Sequence, residues 1–335
     1  MRVTVLAVKI ILQFYRDKRT LLLMLLAPLL VLTLVHLILD HKEDSFHVGG
    51  YHLPDEMTQQ LEKKDIKVTE FSNTHAKQHI DDEQLDAFIS FTNQHMKVTL
   101  DGSQSKNKQL LQIITTGGSQ QKQPAEVSYA YGKEDLSTFD YTGPTLIGLF
   151  IFFFVFLIAG ISFLRERTNG TLDRILSTPL RRWEIVAGYG LGFGLFTTLQ
   201  SVLITWYAVQ ILGLYQGGSF WLVLIVTVML SLTALTLGTF LSAFANNELQ
   251  LIQFVPLVIV PQVFFSGLFP MDSLAGWLQS LQQIMPLYYG ADTLKLIMMK
   301  GQGMSEIAND LLILAGFTIL FAFLNILILK KYRRL

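Results

Sequence analysis

The sequence contains no cysteine. This absence excludes disulfide bonds, thiolate zinc sites, iron–sulfur clusters and a cysteine nucleophile. Charged residues are also scarce, at 16% of the chain, against about 25% in a typical globular protein. The formal net charge is zero, so a polybasic nucleic-acid binder is not expected. Hydrophobic residues make up 51% of the 335 residues, which favours an integral membrane protein with some soluble mass attached.

The zero net charge is the sum of two unlike regions. Residues 40–142 hold 17 acidic and 10 basic residues, a net charge of −7. The rest of the chain holds 9 acidic and 16 basic residues, a net charge of +7. The division indicates an acidic soluble insert within a basic membrane protein.

Long apolar runs predict the membrane-spanning helices. A bilayer span needs about 20 mostly apolar residues. Such runs occupy Thr20–Leu39, Gly143–Leu164, Val186–Leu212, Phe220–Ala245, Leu251–Phe269 and Ala308–Leu329. We therefore expect an α-helical polytopic membrane protein with six transmembrane helices, the first at residues 20–39 and five in a core at 143–335. The first run is longer than the apolar core of about 7–15 residues in a cleaved secretion signal, so we expect it to remain as a span.

Two further segments are expected to be helical without crossing the bilayer. Residues 1–19 combine apolar and basic positions, with Leu6, Ile10 and Phe14 among the apolar ones, and predict an interfacial helix on the inner surface. Residues 271–300 are amphipathic and broken by proline and glycine. They predict an outer helical hairpin that lies in or dips into the outer interface.

The orientation follows from the basic residues beside the spans. Fourteen of them fall on one side, namely Arg2, Lys9, Arg16, Lys18, Arg19, Arg165, Arg167, Arg174, Arg181, Arg182, Lys330, Lys331, Arg333 and Arg334. The opposite short connections carry only Lys295 and Lys300. We expect both termini to be cytoplasmic and residues 40–142 to be extracytoplasmic, because long domains are translocated largely regardless of charge.

The insert predicts a small α/β domain. Alternating runs at Ile66–Phe71, Ala87–Thr92 and Met96–Leu100 predict strands, and the polar turn between the last two predicts a hairpin. Helix-like stretches occupy Asp55–Lys64 and Thr74–Leu85. His75 and His79 are spaced to share one helix face and could bind a metal, but surface histidines of a polar domain are the favoured interpretation, since no H-E-x-x-H motif accompanies them.

The loop at residues 165–183 carries the most informative motif. It reads R-E-R-T-N-G-T-L-D-R-I-L-S-T-P-L-R-R-W. Asn169–Gly170 interrupts the helical pattern, and Pro179 ends it again. Between them a short amphipathic helix is expected, with Leu172, Ile175 and Leu176 on one face and Asp173 and Arg174 on the other. Composition alone also fits an ordinary basic loop with an interfacial tryptophan.

This loop resembles that of the membrane permease subunits of ATP-binding-cassette exporters, in the type-2 permease group. That family's pattern, E-R-x-x-G-T-L-x-x-L-x-x-T-P, is matched at Glu166, Arg167, Gly170, Thr171, Leu172, Leu176, Thr178 and Pro179, with Leu176 one position displaced. Glu184 and Gly188 continue the match, whereas Tyr189 stands where the family often has lysine. The segments Phe14–Leu30 and Phe264–Asp292 resemble the family's membrane entry and outer hairpin, and the outward insert resembles that of one of its subgroups.

The resemblance implies a mechanism and partners. In this family ATP and magnesium bind a separate cytoplasmic ATPase, which docks on the loop, and the permease is a transport subunit, not an enzyme. The residues expected to couple to the ATPase are Glu166, Arg167, Gly170, Thr171, Leu172, Arg174, Leu176 and Pro179. Six spans form half of a translocation path, so a second permease copy, identical or related, is implied beside the membrane lipids.

The sequence agrees with a separate ATPase, because it lacks the phosphate-binding motif G-x-x-x-x-G-K-[ST]. The run Gly188, Gly190, Gly192 and Gly194 is better explained by close helix packing than by nucleotide binding. We therefore expect no cofactor, catalytic residue, metal site or nucleic-acid partner on this chain.

The substrate path is indicated only by polar residues inside spans, which are costly in lipid and face a partner or a cavity. The candidates are Gln200, Thr205, Gln250, Gln253 and Gln262. Hydrogen bonds between helices explain them equally well. No span carries a charged residue in its middle, which argues against a proton- or ion-coupled secondary transporter. It suits a hydrophobic or amphipathic substrate such as a drug, an antibiotic or a lipid-like molecule.

Two other functional classes fit the sequence less well. A membrane-anchored sensor or receptor could bind ligand through the outer domain, but one or two spans and an inner signalling domain would then be expected. A membrane-embedded enzyme is the other class. The sequence contains neither H-E-x-x-H nor G-x-S-x-G, so the exporter subunit is the preferred hypothesis.

Overall fold

The computed structural model describes residues 2–39, 47–53, 55–62, 66–71, 76, 80, 85, 87–92, 95–100, 126–129, 136–269 and 280–332. The chain divides into two compact units. One unit contains Met1–Leu37 together with Thr142–Leu335, and is called the membrane unit below. The other, Ile38–Tyr141, is called the sheet unit.

The described part of the membrane unit is helical. Its helices are α1 (Arg2–Arg16), α2 (Lys18–Ile38), α4 (Thr138–Thr168), α5 (Thr171–Leu176), α6 (Arg182–Gln210), α7 (Phe220–Ser242), α8 (Glu248–Val263), α9 (Pro286–Lys300) and α10 (Met304–Tyr332). Six of them, α2, α4, α6, α7, α8 continued to Leu268, and α10, are long and apolar enough to cross a membrane. The prediction of a polytopic helical protein with six spans is therefore confirmed.

The second span, α4, is the centre of this unit. In its most apolar window 72% of the residues are buried, whereas the corresponding share is 17% in α2 and in α10. Gly238 of α7 allows the close approach of α4, since a Cβ there would lie 2.4 Å from the Phe156 carbonyl oxygen. The outer faces of α2 and α10 carry exposed apolar side chains, among them Leu30 and Phe323.

The fifth span ends in an irregular segment. Pro256 and Pro261 lie inside α8, and a π-helical turn follows at Phe264–Leu268. Gly267 adopts a φ of 82°, a left-handed conformation that only glycine takes up readily. Of the predicted outer hairpin at 271–300, residues 271–279 lie outside the described residues. The remainder contains a 3₁₀ turn, Gln282–Ile284, and α9.

The sheet unit contains α3 (Asp55–Glu62) and the described strands β1 (His47–Tyr51), β2 (Lys67–Glu70), β3 (Ala87–Thr92), β4 (His95–Leu100) and β5 (Glu126–Tyr129). They form one sheet in the order β2-β1-β3-β4-β5. Strands β3 and β4 pair antiparallel, as the predicted hairpin requires, and the other neighbours pair parallel. Ala87 and Ile89 pack in one apolar cluster and Phe88 in another, so both faces of β3 are covered. Most of the helix predicted at Thr74–Leu85, with His75 and His79, lies outside the described residues.

Candidate functional site

The predicted coupling loop begins where the second span ends. Helix α4 stops at Thr168, and Gly170 forms the N-cap of α5 with a φ of 69°. A side chain at this position would be strained by the backbone conformation, even though a Cβ would meet no atom within 4 Å. Glycine therefore permits the sharp reversal between α4 and α5.

Helix α5 is amphipathic in the predicted sense. Leu172 and Leu176 are buried, whereas Asp173 and Arg174 are exposed. The hydroxyl groups of Ser177 and Thr178 donate to the carbonyl oxygens of Asp173 and Ile175, at 2.9 and 2.6 Å. These bonds close the end of the helix before Pro179. The short helix is thus held by its apolar face and presents its charges outward.

Glu166, in the last turn of α4, is the centre of a buried polar cluster. Its side chain is only 4% exposed. One carboxylate oxygen, Oε2, accepts hydrogen bonds from Lys9 Nζ at 3.0 Å and from the Tyr189 hydroxyl at 2.9 Å. Tyr189, the departure from the family pattern, therefore contributes a hydrogen bond, and the compensating positive charge comes from α1. The cluster joins α1, α4 and α6 at one point.

Helix α1 reaches that point by packing on the third span, α6. A Cβ at Gly188 would lie 2.7 Å from a methyl group of Leu6, and one at Gly192 would lie 2.8 Å from the side chain of Ile10. Phe14 adds ring contacts, with its centroid 5.2 Å from that of Phe193. Leu6, Ile10 and Phe14 thus face the protein. The exposed apolar positions of α1 are Val5, Val8, Leu12 and Tyr15.

Two arginines of α4 turn towards the connection between α7 and α8. Arg165 donates from Nε and Nη2 to the two carboxylate oxygens of Glu248, at 2.7 and 3.2 Å. Arg167 donates from Nη1 to the carbonyl oxygen of Ala243 at 2.7 Å, and from Nη2 to that of Ala245. Arg167 was expected to couple to the ATPase, and its described contacts lie within this chain.

The five residues suggested for a substrate path do not form one described cluster. Gln250 accepts from the Asn246 amide at 2.7 Å, and Gln262 accepts from the Leu287 amide at 2.9 Å. Gln253 is exposed on the surface of the described chain. Gln200 and Thr205 are fully buried in α6, and among the described residues their side-chain polar atoms have no hydrogen-bond partner.

Sequence reasoning missed several residues that contact the loop and the Glu166 cluster. Lys9 and Arg165 were noted only as basic residues that orient the chain, and Glu248 was not singled out. The sequence could have predicted that Glu166 has a partner, because a buried carboxylate requires a cationic or hydrogen-bonding group beside it. The identity of that partner depends on the fold, since 157 positions separate Lys9 from Glu166.

Comparison with known families decides the classification. The model of the family described as "ABC-2 family transporter protein" matches residues 18–327. The chain belongs to the ABC-2 transporter family. The resemblance carried by the loop motif is thereby confirmed, and the chain is a multi-pass membrane protein of this transporter family.

Named relatives of this ABC-2 chain are similar over part of their length. A segment of 251 residues is 25% identical to ABC transporter G family member 20 of Dictyostelium discoideum, covering 74% of this chain and 34% of that protein. The chain is 27% identical over 169 residues to the probable multidrug ABC transporter permease YbhR of Escherichia coli, covering 50% and 46%. It is 25% identical over 179 residues to the linearmycin resistance permease protein LnrN of Bacillus subtilis, covering 52% and 46%. The matches therefore span from a third to about half of these relatives.

Proposed function

We propose that the chain is the transmembrane subunit of an ATP-driven exporter that moves a hydrophobic or amphipathic molecule, such as a drug, an antibiotic or a lipid-like compound, out across the cell membrane. The observation that carries the proposal is the inner loop, where α5 buries Leu172 and Leu176 and exposes Asp173 and Arg174. A helix anchored in this way offers a charged face to a partner and passes force to the spans behind it. The relatives named for multidrug transport and linearmycin resistance support this substrate class.

The partner on the inner side is a cytoplasmic ATP-binding-cassette ATPase, which holds ATP and magnesium. It docks on Gly170–Pro179, while Glu166 ties the base of this segment to α1 and α6. A second permease copy completes the translocation path. The exposed apolar side chains of α2 and α10, among them Leu37 and Leu312, suit contact with membrane lipids.

The proposed topology has cytoplasmic termini and an extracytoplasmic sheet unit at residues 40–142. The excess of lysine and arginine beside one set of span ends supports this orientation. The same set includes the base of α5, where an ATPase would have to dock. The topology and the proposed coupling role therefore require the same side of the membrane.

For the substrate path we favour Gln200 and Thr205 over the other candidates. Both are buried in the third span with unused hydrogen-bonding capacity, which a polar group of a substrate could engage. Gln253 is kept as a candidate because its side chain is exposed on a spanning helix. Gln250 and Gln262 are less favoured, because each accepts a hydrogen bond from a backbone amide near a helix start.

The test is co-purification followed by transport. The full chain, expressed with a candidate cytoplasmic ATP-binding-cassette ATPase from the same organism, is expected to carry that ATPase through purification. In proteoliposomes the complex should hydrolyse ATP and move a hydrophobic fluorescent dye. Glu166→Gln and Gly170→Ala should leave both chains assembled and ATP hydrolysis active, but dye movement should fall to background, because the loop no longer passes the motion to the spans.

Matched controls separate this effect from general damage. Glu306→Gln neutralises an exposed glutamate of α10, and Gly316→Ala fills a position where a Cβ meets no atom within 4 Å. Both should transport dye like the wild type. Unchanged transport by both loop variants would overturn the coupling role. A chain that binds ligand through residues 40–142 without any ATPase would favour a receptor instead.

A further inference from the structure

The inner ends of the second and fifth spans are joined by paired contacts. The Arg165 guanidinium meets Glu248 in a fork, with Nε to Oε1 at 2.7 Å and Nη2 to Oε2 at 3.2 Å. Two parallel hydrogen bonds fix the direction of an arginine–carboxylate pair as well as its distance. Glu248 is the first residue of α8, where a negative charge is favoured by the helix dipole.

A second contact lies beside the first. Arg167 donates to the carbonyl oxygens of Ala243 and Ala245, just after α7 ends at Ser242. Carbonyl groups near the end of a helix lack intrahelical partners, and an arginine is well suited to satisfy them. Leu164, Ala245 and Leu251 form a buried apolar cluster beside these polar contacts. The connection at 243–247 is therefore held by ionic, polar and apolar contacts together.

Further hydrogen bonds order this connection at the start of α8. Asn247 caps α8 by accepting from the Gln250 amide at 2.9 Å, and Gln250 accepts from the Asn246 amide at 2.7 Å. Much of α8 itself has an exposed surface, with Leu249 and Leu257 each 73% exposed. The position of the fifth span therefore depends strongly on how its inner end is held.

We propose that Arg165 and Arg167 are positioning residues that latch the 243–247 connection to the second span, so that motion received by α5 is carried to the fifth span. The term arginine latch is used below for Arg165, Arg167, Glu248 and the carbonyl groups of Ala243 and Ala245. The proposal rests on the proposed function, because it assumes that α5 receives the motion of an ATPase. Arg165 and Glu248 are each 46% exposed, so their pairing adds little to global stability and acts mainly on geometry.

The first experiment measures the latch without an ATPase. Because the chain contains no cysteine, thiol-reactive spin labels attach only to cysteines that are introduced for the experiment. Asp173→Cys and Asn246→Cys are exposed positions on the two sides of the latch. Pulsed electron resonance on the full chain in lipid nanodiscs should give a narrow distance distribution between them. Arg165→Glu and Glu248→Arg should each broaden it, and the double reversal should restore its width.

Two further variants define the specificity of that result. Lys295→Glu reverses an exposed charge on α9, away from the latch and from both labels, and should leave the distribution unchanged. Arg165→Gln with Glu248→Gln removes both charges without repulsion and should broaden the distribution as each single reversal does. The latch would be overturned if the single reversals left the width unchanged, or if the double reversal failed to restore it.

The second experiment measures coupling in the complex with its ATPase. The ratio of dye moved to ATP hydrolysed should fall severalfold in each single reversal and return towards the wild-type value in the double reversal. A purely structural role would instead lower the melting temperature and both rates together. If the wild-type chain shows no ATP-driven transport, the proposed function fails, and the distance measurement still decides whether the latch exists.

Discussion

The Glu166 cluster and the middle of the third span differ in how their buried polar groups are hydrogen-bonded. In the cluster, the buried carboxylate of Glu166 accepts from both Lys9 and Tyr189. In the middle, the amide group of Gln200 is fully buried, and within the described part of the chain neither its oxygen nor its nitrogen has a partner. Both residues are costly to bury, but among the described residues only the first finds partners that offset this cost.

This difference in hydrogen bonding indicates two different structural roles. A satisfied ionic cluster that joins three helices fixes their relative positions, as the proposed coupling role would require. An unsatisfied amide holds hydrogen-bonding capacity for a molecule or a conformation outside this arrangement. Three measurements of stability can break or sharpen this contrast.

The largest effect on stability is expected from removing Lys9 from the Glu166 cluster. Lys9→Ala leaves the Glu166 carboxylate buried with only the Tyr189 hydroxyl as a partner, which should lower the free energy of unfolding by about 3 kcal/mol at most. Because Lys9 is 39% exposed, solvent already screens part of the pair, so a loss of about 2 kcal/mol is the more realistic expectation. Reversible unfolding in mixed micelles, followed by circular dichroism, measures the change.

The matched control is Lys295→Ala, which removes an exposed lysine from α9 and should have little effect. The double variant Lys9→Met with Glu166→Gln removes both charges and should recover most of the lost stability. Equal effects of Lys9→Ala and Lys295→Ala would mean that the contact at Glu166 contributes nothing.

A change of opposite sign is expected in the middle of the third span. Gln200→Leu replaces an unpaired amide by an apolar side chain of similar size, which should raise the free energy of unfolding by about 1–2 kcal/mol. Asn325→Leu is the comparison, because Asn325 donates to the carbonyl oxygens of Thr236 and Phe321, each at 2.9 Å. Losing these bonds should lower stability by about 1 kcal/mol. The same unfolding assay applies to both variants.

The transport assay extends this comparison. A Gln200→Leu protein that is more stable and yet moves less dye would support a role for Gln200 in the substrate path. If Gln200→Leu instead destabilises as Asn325→Leu does, the amide has a partner such as a bound water, and the contrast between the two regions disappears.

The sequence predicted well the features that depend on local patterns. Apolar length predicted all six spans, and the alternation at Ala87–Thr92 predicted β3 with its observed bounds. The strand β1 was not predicted, because its short sequence H-V-G-G-Y contains two glycines. Both glycines are explained by tertiary packing, since a Cβ at Gly49 would meet Leu85 and one at Gly50 would meet Leu53.

The contacts around the loop were predictable only in part, because they too depend on tertiary packing. The motif at Gly170–Pro179 predicted a short helix with an apolar and a charged face, and α5 has these faces. The partners of the motif lie far away in the chain, with 83 positions between Arg165 and Glu248. Polar residues in spans were harder still, because spacing alone cannot distinguish Gln200, which lacks a described partner, from Gln262, which accepts from the backbone near α9.

The smallest effect is expected where α1 is attached by apolar contacts instead of charges. A Cβ at Gly192 would lie 2.8 Å from Ile10 and 3.2 Å from the Ala7 carbonyl oxygen, so Gly192→Ala should cost about 1 kcal/mol through crowding. Gly190 lies on the same helix beside a cavity of ≈ 30 Å³, and a Cβ there meets no atom within 4 Å. Gly190→Ala should therefore be neutral or stabilise by about 0.5 kcal/mol. Equal melting temperatures for the two variants would mean that the close contact at Gly192 contributes nothing to the attachment of α1.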